Sequence, residues 1–129
     1  ALERGGMSLV DALSDTKDIC IPAIVVAELW IGVELADSDE RRTSRLSKIS
    51  SILAGAEILP FDERVAPTYA RIYAALRLAG TPIPANDLAV ASLAVHFGHE
   101  LVVGPQDEHH FRKVPGLTVL VLAHRSSHE

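Results

Sequence analysis

Asp87-Leu88-Ala89-Val90-Ala91-Ser92-Leu93-Ala94-Val95-His96-Phe97-Gly98-His99-Glu100-Leu101-Val102-Val103 reads as a helix, a stop and a strand. Asp87 to Phe97 is rich in Ala and Leu, Gly98 supplies the left-handed residue that closes a helix, and the apolar run Leu101 to Val103 follows as a strand. The same alternation recurs upstream. Glu57 to Pro60 is a strand candidate, and Phe61-Asp62-Glu63 leads into a helix with Val65, Tyr69, Ile72, Leu76 and Ala79 at three- and four-residue spacing, stopped by Gly80. Gly80-Thr81-Pro82-Ile83-Pro84 cannot continue a helix and is a connection. Earlier, Ile19 to Ile21 is a short β-branched strand ended by Pro22. A helix follows from Ala23 to about Leu35, its apolar positions Ile24, Leu29, Ile31 and Leu35, and a second covers residues 39–54. Asp37 to Arg42 is the solvated turn between them, with acids where a helix N-terminus favours them. Residues 7–14 read as a short helix and Thr118 to Leu122 as the last strand. Short strands alternating with helices predict an α/β fold with a parallel sheet covered by helices.

A chain of 129 residues, 48% hydrophobic and 22% charged, is the size of one domain and can bury a core without staples. The single cysteine, Cys20, has no internal disulfide partner and lies in an apolar run, as a buried thiol does; a reducing cytoplasm suits it. No apolar stretch is long enough to span a membrane, and the N-terminus lacks a signal-peptide pattern, so the expected protein is cytoplasmic, with no membrane partner. A formal charge of −5 argues against a general positive field for nucleic acid, though not against an enzyme that gathers acids around metal ions.

Three acids fall where a solvated surface would not put them. Glu28, in Val25-Val26-Ala27-Glu28-Leu29-Trp30, has Ile24, Ile31 and Leu35 as helical neighbours, so it lies on or beside an apolar face. A buried carboxylate needs a partner, a raised pKa or a cation; an acid at the edge of the stripe that reaches water fits the spacing equally well. Asp87 has Val90, Ala91 and Ala94 at three, four and seven positions on, and it opens its helix, so an N-terminal cap or dipole-favoured acid is its structural alternative, with Asn86 an equal candidate for the cap. Asp107 follows the Leu101 to Val103 strand directly, and ligands of open α/β sheets collect outside the carboxyl ends of strands. Taken alone it reads as a solvated loop acid. Each of the three follows a strand or opens a helix at what should be one edge of the sheet.

Converging carboxylates suit hard cations such as Mg²⁺ or Mn²⁺, which activate water and stabilise both oxygens of a phosphoryl displacement, so phosphodiester hydrolysis follows. A zinc site at Asp107, His109 and His110 competes poorly: adjacent histidines point different ways, and no second ligand pair has suitable spacing. The remaining histidines are scattered and have no collective role. Arg41, Arg42, Arg45, Arg112 and Lys113 are candidate phosphate contacts, with a solvated face as the default for each. No G-x-G-x-x-G turn supports dinucleotide binding.

The residues resemble the PIN-domain ribonucleases, particularly VapC-type toxins of toxin–antitoxin pairs. The resemblance runs from Ala1 to about His124 and rests on Val26-Ala27-Glu28-Leu29-Trp30-Ile31-Gly32, Leu59-Pro60-Phe61-Asp62, Tyr69-Ala70-Arg71-Ile72, Gly80 to Asp87, His110-Phe111 and Val114-Pro115-Gly116-Leu117. It implies a single three-layer α/β/α domain over 1–124 with a mainly parallel central sheet, and a short tail at 125–129. It also implies Mg²⁺- or Mn²⁺-dependent endoribonuclease activity on RNA, neutralisation by a cognate VapB-like antitoxin, and a homodimer or a toxin–antitoxin hetero-oligomer. Glu28 and Asp87 match the family's metal-site acids. Asp107 matches a position that is Asp or Asn in the family and would help hold metal or water.

Two departures follow. The family opens with a strand ending in an Asp, a principal metal ligand, then a small hydroxyl residue, whereas Ala1 to Gly6 resembles the helix after it. The first strand and its Asp are therefore expected to be absent from this sequence. Their loss would leave two inner strand edges unpaired, so the expectation is that the molecule possesses residues omitted here or that another chain supplies them. Pro105 stands where the family commonly has Thr, removing a hydroxyl beside Asp107. The alternative function is a PIN-fold binding module with an impaired metal site, acting through protein association; apolar surface around Trp30 and Val33 would serve either function.

Overall fold

The structure, a computed structural model, describes residues 2–4 and 20–121. In chain order these form β1 (Leu2–Arg4), β2 (Cys20–Pro22), α1 (Ala23–Glu34), α2 (Asp39–Gly55), β3 (Glu57–Leu59), α3 (Ala66–Leu78) and α4 (Ala85–Phe97). Then come β4 (Leu101–Val103), a 3-10 turn (Pro105–Asp107), α5 (Glu108–Phe111) and β5 (Val119–Val121). The expected helix over residues 7–14 lies outside the described residues, as does Ile19.

The described strands form one sheet in the order β3-β2-β1-β4-β5, every neighbouring pair parallel. The chain moves outward from β2 to β3 and then crosses back to β4 and β5. Right-handed crossovers in opposite directions lie on opposite faces, which gives the three layers and makes the β1–β4 boundary the switch point where strand order reverses.

The expected opening of this sequence, a helix with the central strand supplied from elsewhere, is corrected here. Leu2–Arg4 occupies the centre, with Leu2 in register with Cys20 on one side and Leu2, Glu3 and Arg4 opposite Leu101, Val102 and Val103 on the other. The reason is the one that made an absence costly: β2 and β4 would each leave a row of backbone N–H and C=O groups unpaired in the interior. Residues 2–4 are accordingly strand and not the opening of a helix.

Local signals set the helix limits. Ser38 caps α2, its hydroxyl accepting from the Arg41 amide at 3.1 Å. Gly98 (φ 70°) closes α4 with a paired closure in which the amides of His99 and Gly98 donate to the carbonyls of Ala94 and Val95 at 2.9 and 3.3 Å. Gly80 (φ 73°) ends α3 in the same way, through Thr81 to Leu76 and Gly80 to Arg77.

Helix α1 has its expected length but a different inner face. It buries Val25, Leu29 and Val33, whereas Ile31 and Leu35 are 55% and 75% exposed. The segment is apolar on nearly every side, so period alone did not choose the face. For the same reason the expected surface around Trp30 and Val33 divides: Trp30 is exposed and Val33 fully buried. Helix α4 is interior, with Leu88, Val90, Ala91, Ser92, Leu93 and Ala94 all buried and the Ser92 hydroxyl satisfied by the Leu88 carbonyl at 2.7 Å. Among the described residues no helix is long and apolar enough to cross a membrane.

Candidate functional site

Helix α4 runs directly into β4, so its first turn lies at the carboxyl edge of the parallel sheet. Asp87, third residue of that helix, is 5% exposed. It caps nothing: the N-cap position is Pro84, no side chain caps the helix, and neither Asn86 nor Asp87 takes that role. What its carboxylate does have is the helix N-terminus, which favours negative charge, and a partner from another element. His110 Nδ1 lies 3.0 Å from Asp87 Oδ2, with side-chain exposures of 29% and 7%.

This contact carries topological information. His110 sits just beyond β4 and Asp87 just before α4 descends to it, so their meeting places the turn after β4 and the start of α4 at one edge. Asp107 belongs to the same turn. It was expected in a loop; the structure makes it the last residue of the 3-10 turn and the residue preceding α5, half-buried, with no capping bond from its side chain. Pro105 opens that turn, where its fixed φ and missing N–H suit a first helical position. The turn is held down by Phe111, fully buried at the end of α5, and by Val114.

Glu28 lies in the second turn of α1, which follows β2 and packs against α4. Its side chain is half-buried, one residue from the buried Leu29, so it stands at the margin of the inner stripe. Asp87, Glu28 and Asp107 thus come from three different elements. Among the described residues no group of three or more His, Cys, Asp or Glu side chains stands close enough together to hold a metal ion. The three acids offer oxygen donors, the ligand chemistry of a hard cation.

Four of the five basic residues considered as phosphate contacts have other work. Arg42 reaches the Val33 carbonyl at 3.3 Å and Glu34 at 3.2 Å, and Arg45 donates to the Gly32 carbonyl, so both serve the last carbonyls of α1. Arg41 pairs with Asp37 at 3.0 Å and Arg112 with Glu108 at 2.9 Å. Cys20 is a buried thiol, its Sγ donating to Glu57 Oε1 at 3.7 Å.

His110 is the residue sequence reasoning left without a role. The available signal was its position three residues after Asp107 and directly before an apolar Phe, which in one helical turn places it beside the acid.

The sequence matches the family model described as PIN domain over residues 3–117. It is 32% identical over 123 residues to Ribonuclease VapC1 of Rickettsia felis, covering 95% of this chain and 90% of that protein. Its fold is similar to the crystal structure of FitAcB from Neisseria gonorrhoeae, with TM-score 0.71 and 32% identity over 88% of this chain and 81% of that one. It is similar too to VapBC-5 from Mycobacterium tuberculosis, a member of the VapBC family of toxin-antitoxin systems, with TM-score 0.70 and 22% identity over 95% and 96% of the two chains.

Proposed function

This chain belongs to the PIN domain family, and we propose that it is a metal-dependent endoribonuclease toxin, hydrolysing RNA phosphodiester bonds and neutralised by a VapB-like antitoxin. The observation that carries this reading is Asp87, an acid buried to 5% exposure at the switch-point edge of the sheet, where open α/β folds bind ligands. Burying a carboxylate costs free energy; a helix N-terminus offsets about 0.3–1 kcal/mol of it, the His110 contact at 3.0 Å offsets more, and a bound cation would add to both. Asp87, Glu28 and Asp107 are the residues proposed to hold Mg²⁺ or Mn²⁺. Mg²⁺ keeps several waters and is commonly bound by one or two carboxylates plus substrate phosphate, which suits acids spread over three elements. When bound, the ion supplies an activated water and neutralises charge on the scissile phosphate. The chain's own part is to present the carboxylates, Asp87 among them beside a helix N-terminus.

Ribonuclease is the activity named for the Rickettsia felis relative, and toxin–antitoxin pairing is named for the Mycobacterium tuberculosis one; both come to this chain as parts of the proposal. Trp30 and Ile31, 42% and 55% exposed on α1, offer apolar area for a protein partner in such a pair or in a homodimer. The buried thiol of Cys20 suits a reducing cytoplasm as the compartment.

The test is cleavage of a panel of single-stranded and structured RNAs with Mg²⁺, Mn²⁺ or chelator, comparing the parent protein with Asp87→Asn. The expected result is cutting that stops with chelator and falls in the variant by more than about 100-fold, the upper end of what losing a merely supporting group costs. Equal cutting by parent and variant, or cutting in chelator, refutes it. A second reading is the binding module with an impaired metal site, acting through protein association. Absent cutting with retained binding of a protein partner would select it.

A further inference from the structure

We infer that His110 is a positioning residue of the metal site proposed above, orienting the Asp87 carboxylate through a hydrogen bond from its Nδ1. The inference rests on that reading of Asp87 and adds a residue to it. An ionised carboxylate only accepts, so at 3.0 Å from Asp87 Oδ2 the His110 Nδ1 carries the proton and donates.

An Asp in the first turn of a helix can turn about two side-chain bonds. A donor from a second element that fixes one oxygen also fixes where the other can lie. His110 is built to be such a fixed donor. It lies in a single helical turn closed by the Arg112 amide to the Glu108 carbonyl at 3.0 Å, and its neighbour Phe111 is fully buried. Its ring is backed by His109, with centroids 4.1 Å apart.

The same segment carries Asp107, three residues earlier. The segment therefore presents one acid to the edge and grips another that arrives from α4. The pair ties the position of Asp107 to that of Asp87, although the two come from different elements. Donors that orient ligating carboxylates from outside the ligand set are worth roughly 10- to 100-fold in metal affinity.

The experiment is Mn²⁺ binding by calorimetry to the full chain and to His110→Ala, His110→Asn, His110→Gln and Asp87→Asn, with a thermal melt of each. The Asn side-chain amide reaches about as far as Nδ1, and the Gln amide about as far as Nε2. The expected pattern is Mn²⁺ affinity reduced roughly 10- to 100-fold in His110→Ala, largely recovered in His110→Asn and not in His110→Gln. If Asp87→Asn loses Mn²⁺ while His110→Ala binds as the parent does, the positioning role is overturned and the metal site stands. If Asp87→Asn binds like the parent, the metal reading fails and takes the positioning role with it. Should His110→Ala melt too early to titrate, His110→Asn decides: a folded variant that has lost Mn²⁺ affinity overturns the inference, and one that keeps it while folded His110→Gln does not supports it. A purely structural role would lower the melting temperatures and leave the affinities of the folded variants level.

Discussion

Truncating Phe111 to Ala tests whether the turn behind the candidate site is held by burial. The ring is fully buried at the end of α5, which packs on α4 and β5. Helix α5 has four residues, Glu108 to Phe111, far fewer than the ~12–15 at which an isolated helix becomes even marginally stable, so its shape depends on tertiary anchorage. Phe→Ala in a packed interior costs about 3–5 kcal/mol. At roughly 2.1 cal/mol/K of unfolding entropy per residue, a chain of 129 residues loses about 4 °C of Tm per kcal/mol, so Phe111→Ala should melt roughly 10–20 °C early. Phe61 supplies the control. It is the same residue type, 43% exposed, with its ring edge-on to Tyr69 at 5.6 Å, a contact worth about 0.5–1.5 kcal/mol. Phe61→Ala should shift Tm by only a few degrees, roughly 2–6 °C. Both are measured by calorimetry in chelator, so that metal binding does not add to the stability of either protein. A Phe111→Ala variant within about 1 kcal/mol of the parent, or a Phe61→Ala variant that loses as much, would refute the claim that buried area at Phe111 fixes this turn.

Three further changes probe single physical causes. Arg64 holds the Asp62 carboxyl below its ordinary value, first through its side-chain hydrogen bond and then through its backbone amide. Arg64→Ala should therefore raise the Asp62 pKa in an NMR titration, and an unchanged midpoint would remove Arg64 as the cause. Because the folded-state pKa is the lower one, the pair contributes stability above the unfolded value and loses it as pH falls through the folded value. Both groups are exposed, so the melting temperature at neutral pH should barely move. Gly98→Ala places a side chain at φ 70° with nothing within 4 Å of the new Cβ, so its cost is backbone alone, about 1–2 kcal/mol by urea unfolding. Gly32→Ala inside α1, also with open space around the new atom, should have the opposite sign, a gain of about 0.5–1 kcal/mol; the same sign for both would contradict the left-handed assignment at Gly98.

The elements legible in the sequence are those with punctuation of their own. Ser38 before Asp39 and Glu40, and glycines 80 and 98 after their helices, mark limits through bonds within a few residues, so no distant contact was needed to read them. Face was harder than extent. Residues 23–35 carry Ile31 and Leu35 as well as Val25, Leu29 and Val33, and packing against α4 and the sheet decides which set goes inward. The central strand was misread for a related reason. Leu2-Glu3-Arg4 has little strand character alone, and what makes it a strand is the pair of parallel edges, β2 and β4, waiting on either side.

The site follows the same division between local and long-range causes. Asp87 stood out because Val90, Ala91 and Ala94, all fully buried, share its side of the helix, and an acid on that side must be satisfied by something. The sequence could not say by what, because His110 is 23 residues away and comes within 3.0 Å only once α4 and β4 lie antiparallel across one layer. The neighbours of Glu28 gave a weaker signal for a physical reason: Ile31 and Leu35 turn out to face solvent, so their apolar character said little about the burial of the acid between them. An apolar neighbourhood thus identifies a buried acid when the helix is interior on every side, as α4 is. On a helix with one inner face the same neighbourhood is ambiguous, and topology must place the acid instead. Here α1 starts at the carboxyl end of β2 and packs against α4, and Glu28 lies in the second turn of that helix.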